Sequence, residues 1–127
     1  MRDLTSHISP VTSIAPAVLT ATANGASVDL LGFNSAALVI STGAIAGSGN
    51  FAPKMQESDD NSTWNDVASS DLTGPALPAA LAASTTYELG YKGFKRYVRP
   101  VLSLVSGTSI AASAVVIRGN PAKQPAA

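Results

Sequence analysis

The stretch Lys54–Val67, KMQESDDNSTWNDV, holds four of the chain's eight acidic residues and its only tryptophan. Its reading decides the fold: a cation loop, a carboxylate pair, a glycan acceptor and a β-hairpin lead to different proteins. A helix–loop–helix calcium loop needs oxygen ligands at its first, third and fifth positions, glycine at the sixth and glutamate at the twelfth. Counted from Asp59, the last four of these fall on Asn61, Thr63, Trp64 and Ser70, so the turn glycine and the bidentate ligand are missing. Glu57 and Asp66 could oppose each other across a hairpin as a glycosidase pair does, but no other residue suggests a sugar-distorting pocket. Asn61-Ser62-Thr63 matches the glycosylation sequon, with no export signal to accompany it. The hairpin is better supported. Turn-forming Ser58, Asp59, Asp60 and Asn61 lie between two alternating segments, and Asp and Asn side chains bond their own main chain in turns. Met55 and Trp64 are expected to meet across the pair and give the core its largest anchor.

Working outward, the rest of the chain repeats this grain of short strands and turns. Residues 17–23 and 26–31 flank Asn24-Gly25, a two-residue hairpin signal. Apolar or alternating runs follow at 36–42, 51–58, 63–68, 86–92, 95–105 and 109–118, with Ser-Gly-Thr joining the last two. Such spacing predicts an all-β fold, an antiparallel β-sandwich of jelly-roll type. Residues 68–84, rich in Ala, Pro and Ser, read as a long crossover loop with a short helix beginning at Pro78. Proline and hydroxyl residues at 1–16, and prolines 121 and 125 near the other end, read as extended arms. The expected organisation is thus an N-terminal arm (1–16), a sandwich domain (17–118) and a C-terminal arm (119–127).

One strand carries more information than the others. In 110–118 the even positions are Ile110, Ala112, Ala114, Val116 and Arg118, and the odd ones are Ala111, Ser113, Val115 and Ile117. Both faces are predominantly apolar, as in a strand covered on both sides. In a two-layer sandwich the outer cover must come from the long loop or from another chain. The charge content favours another chain. Only 13% of the 127 residues are charged, and eight basic residues balance eight acidic ones. A small domain so sparsely charged is poorly soluble unless its surface is shared with other subunits.

The same totals argue against several function classes. Zero net charge is unlike a protein held on nucleic acid by counterion release. Absence of cysteine removes disulfides and thiolate metal sites. Gly, Ser, Asn and Pro interrupt every apolar run before the roughly 20 residues a membrane helix needs. The sole histidine, His7, lies in the N-terminal arm, and no nucleophile-elbow pattern accompanies it. No enzyme activity, cofactor or metal is expected. In the basic run Tyr91–Arg99, YKGFKRYVR, alternation sends Lys95, Tyr97 and Arg99 one way and Arg96 and Val98 the other. That division opposes a grip on one nucleic-acid strand; Arg96 or Arg99 is expected to pair with Glu88 or Asp66.

The ordered set QESDDNSTW (56–64), YELGYKGFKRYVR (87–99) and VVIRGNPAKQP (115–125) resembles small structural proteins of tailed bacteriophages and prophages. The resemblance implies a virion component, a decoration or head-surface protein that binds the major capsid protein in many copies and stabilises the shell. It also implies repeated copies or a homo-oligomer on the capsid surface, assembled in the host cytoplasm, with no direct nucleic-acid or membrane contact. Other roles it allows are a head–tail joining or tail-tube subunit. SDDNSTW (58–64) with Arg96-Tyr97-Val98-Arg99 is also similar to elements of discoidin-like carbohydrate-binding jelly rolls, with Asn61 where glycine is usual. On these readings the expected partner contacts are Arg2, His7 and Ile8 in the arm, the cations Lys92, Lys95 and Arg99, and outward-facing Val115 and Ile117. Met55, Trp64 and Tyr97 are the expected structural anchors.

Overall fold

A computed structural model describes residues 3–122. Its strands are β1 (Ile8–Leu19), β2 (Ala23–Asn24), β3 (Val28–Asp29), β4 (Phe33–Ala46), β5 (Asn50–Ser58), β6 (Asn65–Asp66), β7 (Leu72–Thr73), β8 (Thr86–Tyr91), β9 (Tyr97–Ser106) and β10 (Ser109–Pro121). They form two antiparallel sheets. The first has the order β1-β10-β4-β8-β7; in the second the order is β2-β9-β5-β6, with β3 also on β9. The order β1-β10-β4-β8 in one sheet facing β2-β9-β5-β6 in the other is the jelly-roll arrangement expected from the sequence.

Alternation drives the packing. From β4, Ala36, Leu38 and Ile40 point inward; from β10, Ile110, Ala112, Ala114 and Val116 do so. The second sheet answers with Phe51 and Met55 from β5 and with Val98 and Leu102 from β9. Phe51 is the largest side chain to be fully buried.

Trp64 is not in this core. It is half-buried, beyond the tight turn that precedes β6. The expected Met55–Trp64 anchor therefore fails, although Met55 is itself buried at 3% exposure. Tyr97, the third expected anchor, is half-buried on β9 with the Arg96 guanidinium 5.1 Å from its ring centroid.

Asn24-Gly25 does not close a hairpin. β2 and β3 both pair with β9, on either side of Pro100. A proline has no N–H to give to a ladder, and opposite it the partner strand breaks in two. Gly25 N–H bridges the gap by donating to Pro100 O at 2.8 Å.

The arm boundaries also move. Residues 8–16, expected as part of an extended N-terminal arm, belong to β1, which pairs with β10 from Ile8↔Gly119 to Leu19↔Ile110 through two register shifts. Pro10 and Pro16 counted towards an extended arm, yet an edge strand tolerates proline. At the other end β10 runs to Pro121, so residues 119–121 are strand; the remainder of that arm beyond 122, like Arg2, lies outside the described residues.

The segment 68–84 forms no helix from Pro78. It contains a 3₁₀ turn at Ser69–Asp71 and the short β7, then inserts Leu81 into the core. Leu81 N–H donates to Phe51 O at 2.9 Å, which fastens the crossover to β5.

Candidate functional site

Three surfaces gather the residues singled out by the sequence. On the outer face of the first sheet, the register aligns Pro10, Ile117, Ala37 and Gly90 in one row. The next row is Thr12, Val115, Val39 and Glu88, and a third holds Ser113, Ser41 and Thr86. Val115 and Ile117 are half-buried by their own neighbours, as are Val39 and Ala37. Glu88, on the β8 side, is the one charged residue of these rows. The long loop borders that same side, where Pro75, Ala76 and Leu77 line a shallow groove with Val39 and Glu88. The sequence expectation of a strand apolar on both faces thus corresponds to an inward row sealed in the core and an outward row of uncharged side chains.

The second sheet presents a contrasting outer face. Lys54 Nζ lies 3.2 Å from Asp66 Oδ1, which also accepts from Gln56 Nε2 at 3.0 Å. Gln56 Oε1 in turn accepts from Arg99 Nε and Nη2 at 3.0 and 2.8 Å. The Arg99 guanidinium sits 4.4 Å from the Trp64 ring centroid, a cation–π distance. The Gln56 bond and Lys54 hold the Asp66 carboxyl below its usual range. Arg99 is therefore tied to an amide instead of the expected carboxylate. Arg96 does find a carboxylate, but on Asp29, through bonds of 2.9 and 2.8 Å. Glu57 and Asp66 do not oppose each other: Gln56 pairs with Asp66 and Glu57 with Asn65, and the Glu57 carboxylate accepts from Tyr91 Oη at 2.8 Å. Burial, then that bond, raises the Tyr91 hydroxyl pKa well above its ordinary value.

The acidic turn is architecture. Asp60 Oδ1 accepts from the Ser62 and Thr63 amides, each at 2.9 Å, and from Ser58 Oγ at 2.9 Å. Asn61 adopts a left-handed backbone with φ of 61°, which asparagine tolerates. The Thr63 amide, then the Ser62 amide, lowers the Asp60 pKa from 3.8. A folded value below the unfolded one means stabilisation present above the unfolded pKa and lost as pH falls through the folded value. We expect the Ser62 and Thr63 amides to lose hydrogen-exchange protection below about pH 4. An Asp60→Asn variant should lack that pH dependence; identical profiles in the two proteins would refute the assignment.

At one end of the sandwich the β3–β4 turn and the β8–β9 loop face each other across a groove of about 610 Å³. Lys92 and Lys95, both expected as contacts, are on its wall, with Arg96, Leu31 and Phe94. Lys95 Nζ also reaches Asp59 Oδ2 at 2.7 Å. This groove escaped the sequence reading because its walls come from segments distant in the chain. The exposed Phe94 between cations was its only local signal. His7 closes a 3₁₀ turn (Thr5–His7) beside Ile8, donating its amide to Leu4 O at 2.9 Å. Among the described residues, no group of three or more His, Cys, Asp or Glu is placed to hold a metal ion.

No protein-family model and no curated protein matches the chain. Among solved structures, its fold is similar to that of the SPBc2 prophage-derived protein YomS, at 14% identity and a TM-score of 0.48, covering 87% of this chain and 94% of that one. It is also similar to a structure of infectious bursal disease virus, Gx strain, at 14% identity and a TM-score of 0.44; 93% of this chain aligns with 35% of that one.

Proposed function

We propose that this chain is a non-enzymatic structural protein of a tailed-phage particle, a decoration or head-surface component that sits in many copies on the major capsid protein and stabilises the shell. The observation that carries the reading is the outer face of the first sheet. Its rows Pro10–Ile117–Ala37–Gly90 and Thr12–Val115–Val39–Glu88 offer a surface with a single carboxylate near the long loop. Burying such a face strands almost no charge, and stranded charges are what make association costly. Association by strand addition is disfavoured instead, because β1, the edge of this sheet, carries Pro10 and Pro16. A specific contact of this kind covers roughly 1,200–2,000 Å² in total. Repetition over a shell multiplies its effect without any catalytic or metal chemistry.

The test is cosedimentation of the purified chain with shells of the particle that encodes it, depleted of this protein. A Val115→Asp, Ile117→Asp variant places two carboxylates on the outward row and should weaken shell binding by roughly a hundredfold, about 2.7 kcal/mol. Circular dichroism should keep the parent's form, with a modest fall in melting temperature because both side chains are half-buried. Equal binding by variant and parent would overturn the reading, as would a parent that ignores shells. Rings or tubes formed by the isolated chain would point to the head–tail joining or tail-tube role.

A second reading has one observation in its favour, the outward Trp64 held over Arg99. An aromatic platform of this kind suits glycan stacking, and a glycan array that responds to Trp64→Ala would support it. Tyr91 is not part of that platform, since it is 5% exposed and its hydroxyl is bonded to Glu57.

A further inference from the structure

We infer that the groove between the β3–β4 turn and the β8–β9 loop is a docking site for an acidic polypeptide segment bearing a large apolar side chain. This surface is separate from the outer sheet face, and the inference does not depend on that face meeting a capsid.

Charge complementarity identifies the occupant. Eight basic residues balance eight acidic ones in the whole chain, yet the groove is lined by Lys92, Lys95 and Arg96 and by no carboxylate. Asp59 and Asp29 bind Lys95 and Arg96 from outside it. Both pairs are solvent-exposed, the kind that contributes little and yields readily to competitors. The Lys92 side chain forms no ion pair among the described residues. An incoming carboxylate therefore meets Lys92 directly and competes with Asp59 and Asp29 for the other two cations.

The apolar half of the complement is as well defined. Phe94 is 99% exposed and Leu31 is 68% exposed, and they belong to opposite walls of the groove. An exposed phenylalanine on a loose loop would lose much of its binding energy to ordering. This loop is held instead. Lys92 N–H donates to Asp71 O at 2.8 Å, Lys95 N–H to Tyr91 Oη at 3.1 Å, and Leu30 N–H to Arg96 O at 2.8 Å. Gly93 packs so closely on the Tyr91 ring that a Cβ there would lie 2.5 Å from the hydroxyl oxygen. An aromatic side chain carried on a held backbone can serve as an anchor at a protein interface. A ligand leucine or phenylalanine would meet Leu31 and Phe94, with a flanking carboxylate directed to Lys92 and others competing for Lys95 and Arg96.

The experiment uses the full chain labelled with nitrogen-15. It is titrated with the capped hexapeptide Asp-Glu-Leu-Phe-Glu-Asp and with the same peptide carrying Lys and Arg in place of its acids. Vesicles of phosphatidylcholine and phosphatidylglycerol and a thymidine oligonucleotide form the other arms. The acidic peptide should shift the Gly32, Gly93 and Phe94 amides saturably, and the basic one should bind at least about tenfold more weakly, a difference of about 1.4 kcal/mol. Phe94→Ser and Lys92→Glu should each lower affinity by a similar factor with an unchanged melting temperature, because both side chains are exposed. Equal binding of the two peptides, shifts confined to another surface, or no saturable shift at millimolar peptide would overturn the inference. Tighter binding of vesicles or oligonucleotide than of the acidic peptide would overturn it too.

Discussion

Phe51→Ala should cost about 3–5 kcal/mol, the usual range for emptying a buried aromatic site, whereas Trp64→Ala should cost only on the order of 1 kcal/mol. The ordering is the reverse of what residue size suggests. Phe51 is fully enclosed among inward side chains of both sheets. Its removal leaves a void between them that β5 cannot easily close, because Leu81 N–H and the β9 ladder both hold the Phe51 backbone in place. Trp64 is half-buried and stacks on a guanidinium whose other contacts, to Gln56, survive its loss. Urea unfolding of the two variants measures the difference directly, through midpoints at a common slope. Natural domains have only about 5–15 kcal/mol in hand, so Phe51→Ala should also lower Tm by on the order of 10 °C. A Trp64→Ala loss as large as that of Phe51→Ala would place the tryptophan in the core after all.

The contrast shows which parts of this fold the sequence makes legible. Period-two alternation is local, so the inward row Ile110, Ala112, Ala114 and Val116 and the outward row Val115 and Ile117 are readable from β10 alone. The turn at Ser58–Thr63 is readable for the same reason: Asp60 and Asn61 shape it through bonds to their immediate neighbours. What a side chain meets across the sheet is not local. Arg99 beneath Trp64, and Asp29 holding Arg96, become visible only once β9 has been placed beside β5 and β3. Asn24-Gly25 fails as a hairpin signal because β9 competes for both flanking segments. Proline misleads in the opposite direction, since the prolines of β1 mark a sheet edge and not an extended arm. Of the candidate surfaces, the outward face of β10 was visible in the sequence. The end groove was not, because it needs the β3–β4 turn and the β8–β9 loop together.

The second large effect is expected at the corner where the chain changes sheets. β9 and β10 are joined by Gly107 and Thr108 but lie in different sheets, and so do β4 and β5, joined through Gly47, Ser48 and Gly49. The two connections nest. Thr108 N–H donates to Gly47 O at 3.2 Å. A Cβ on Gly107 would lie 2.2 Å from Ser48 O, and one on Gly49 would lie 2.2 Å from Ser109 O. Both obstacles are backbone, which cannot swing aside as a flexible side chain does. Gly49→Ala should therefore cost about 1–3 kcal/mol through overpacking alone. Gly107→Ala carries the same clash and adds a left-handed backbone, with φ of 84°, which costs a non-glycine residue roughly 1–2 kcal/mol more. Gly32→Ala separates the two causes, since its φ is 90° but nothing lies within 4 Å of its Cβ position; only the backbone cost should appear there. The expected order of destabilisation in urea has Gly107→Ala above Gly49→Ala and above Gly32→Ala. A silent Gly49→Ala would mean that the corners do not touch.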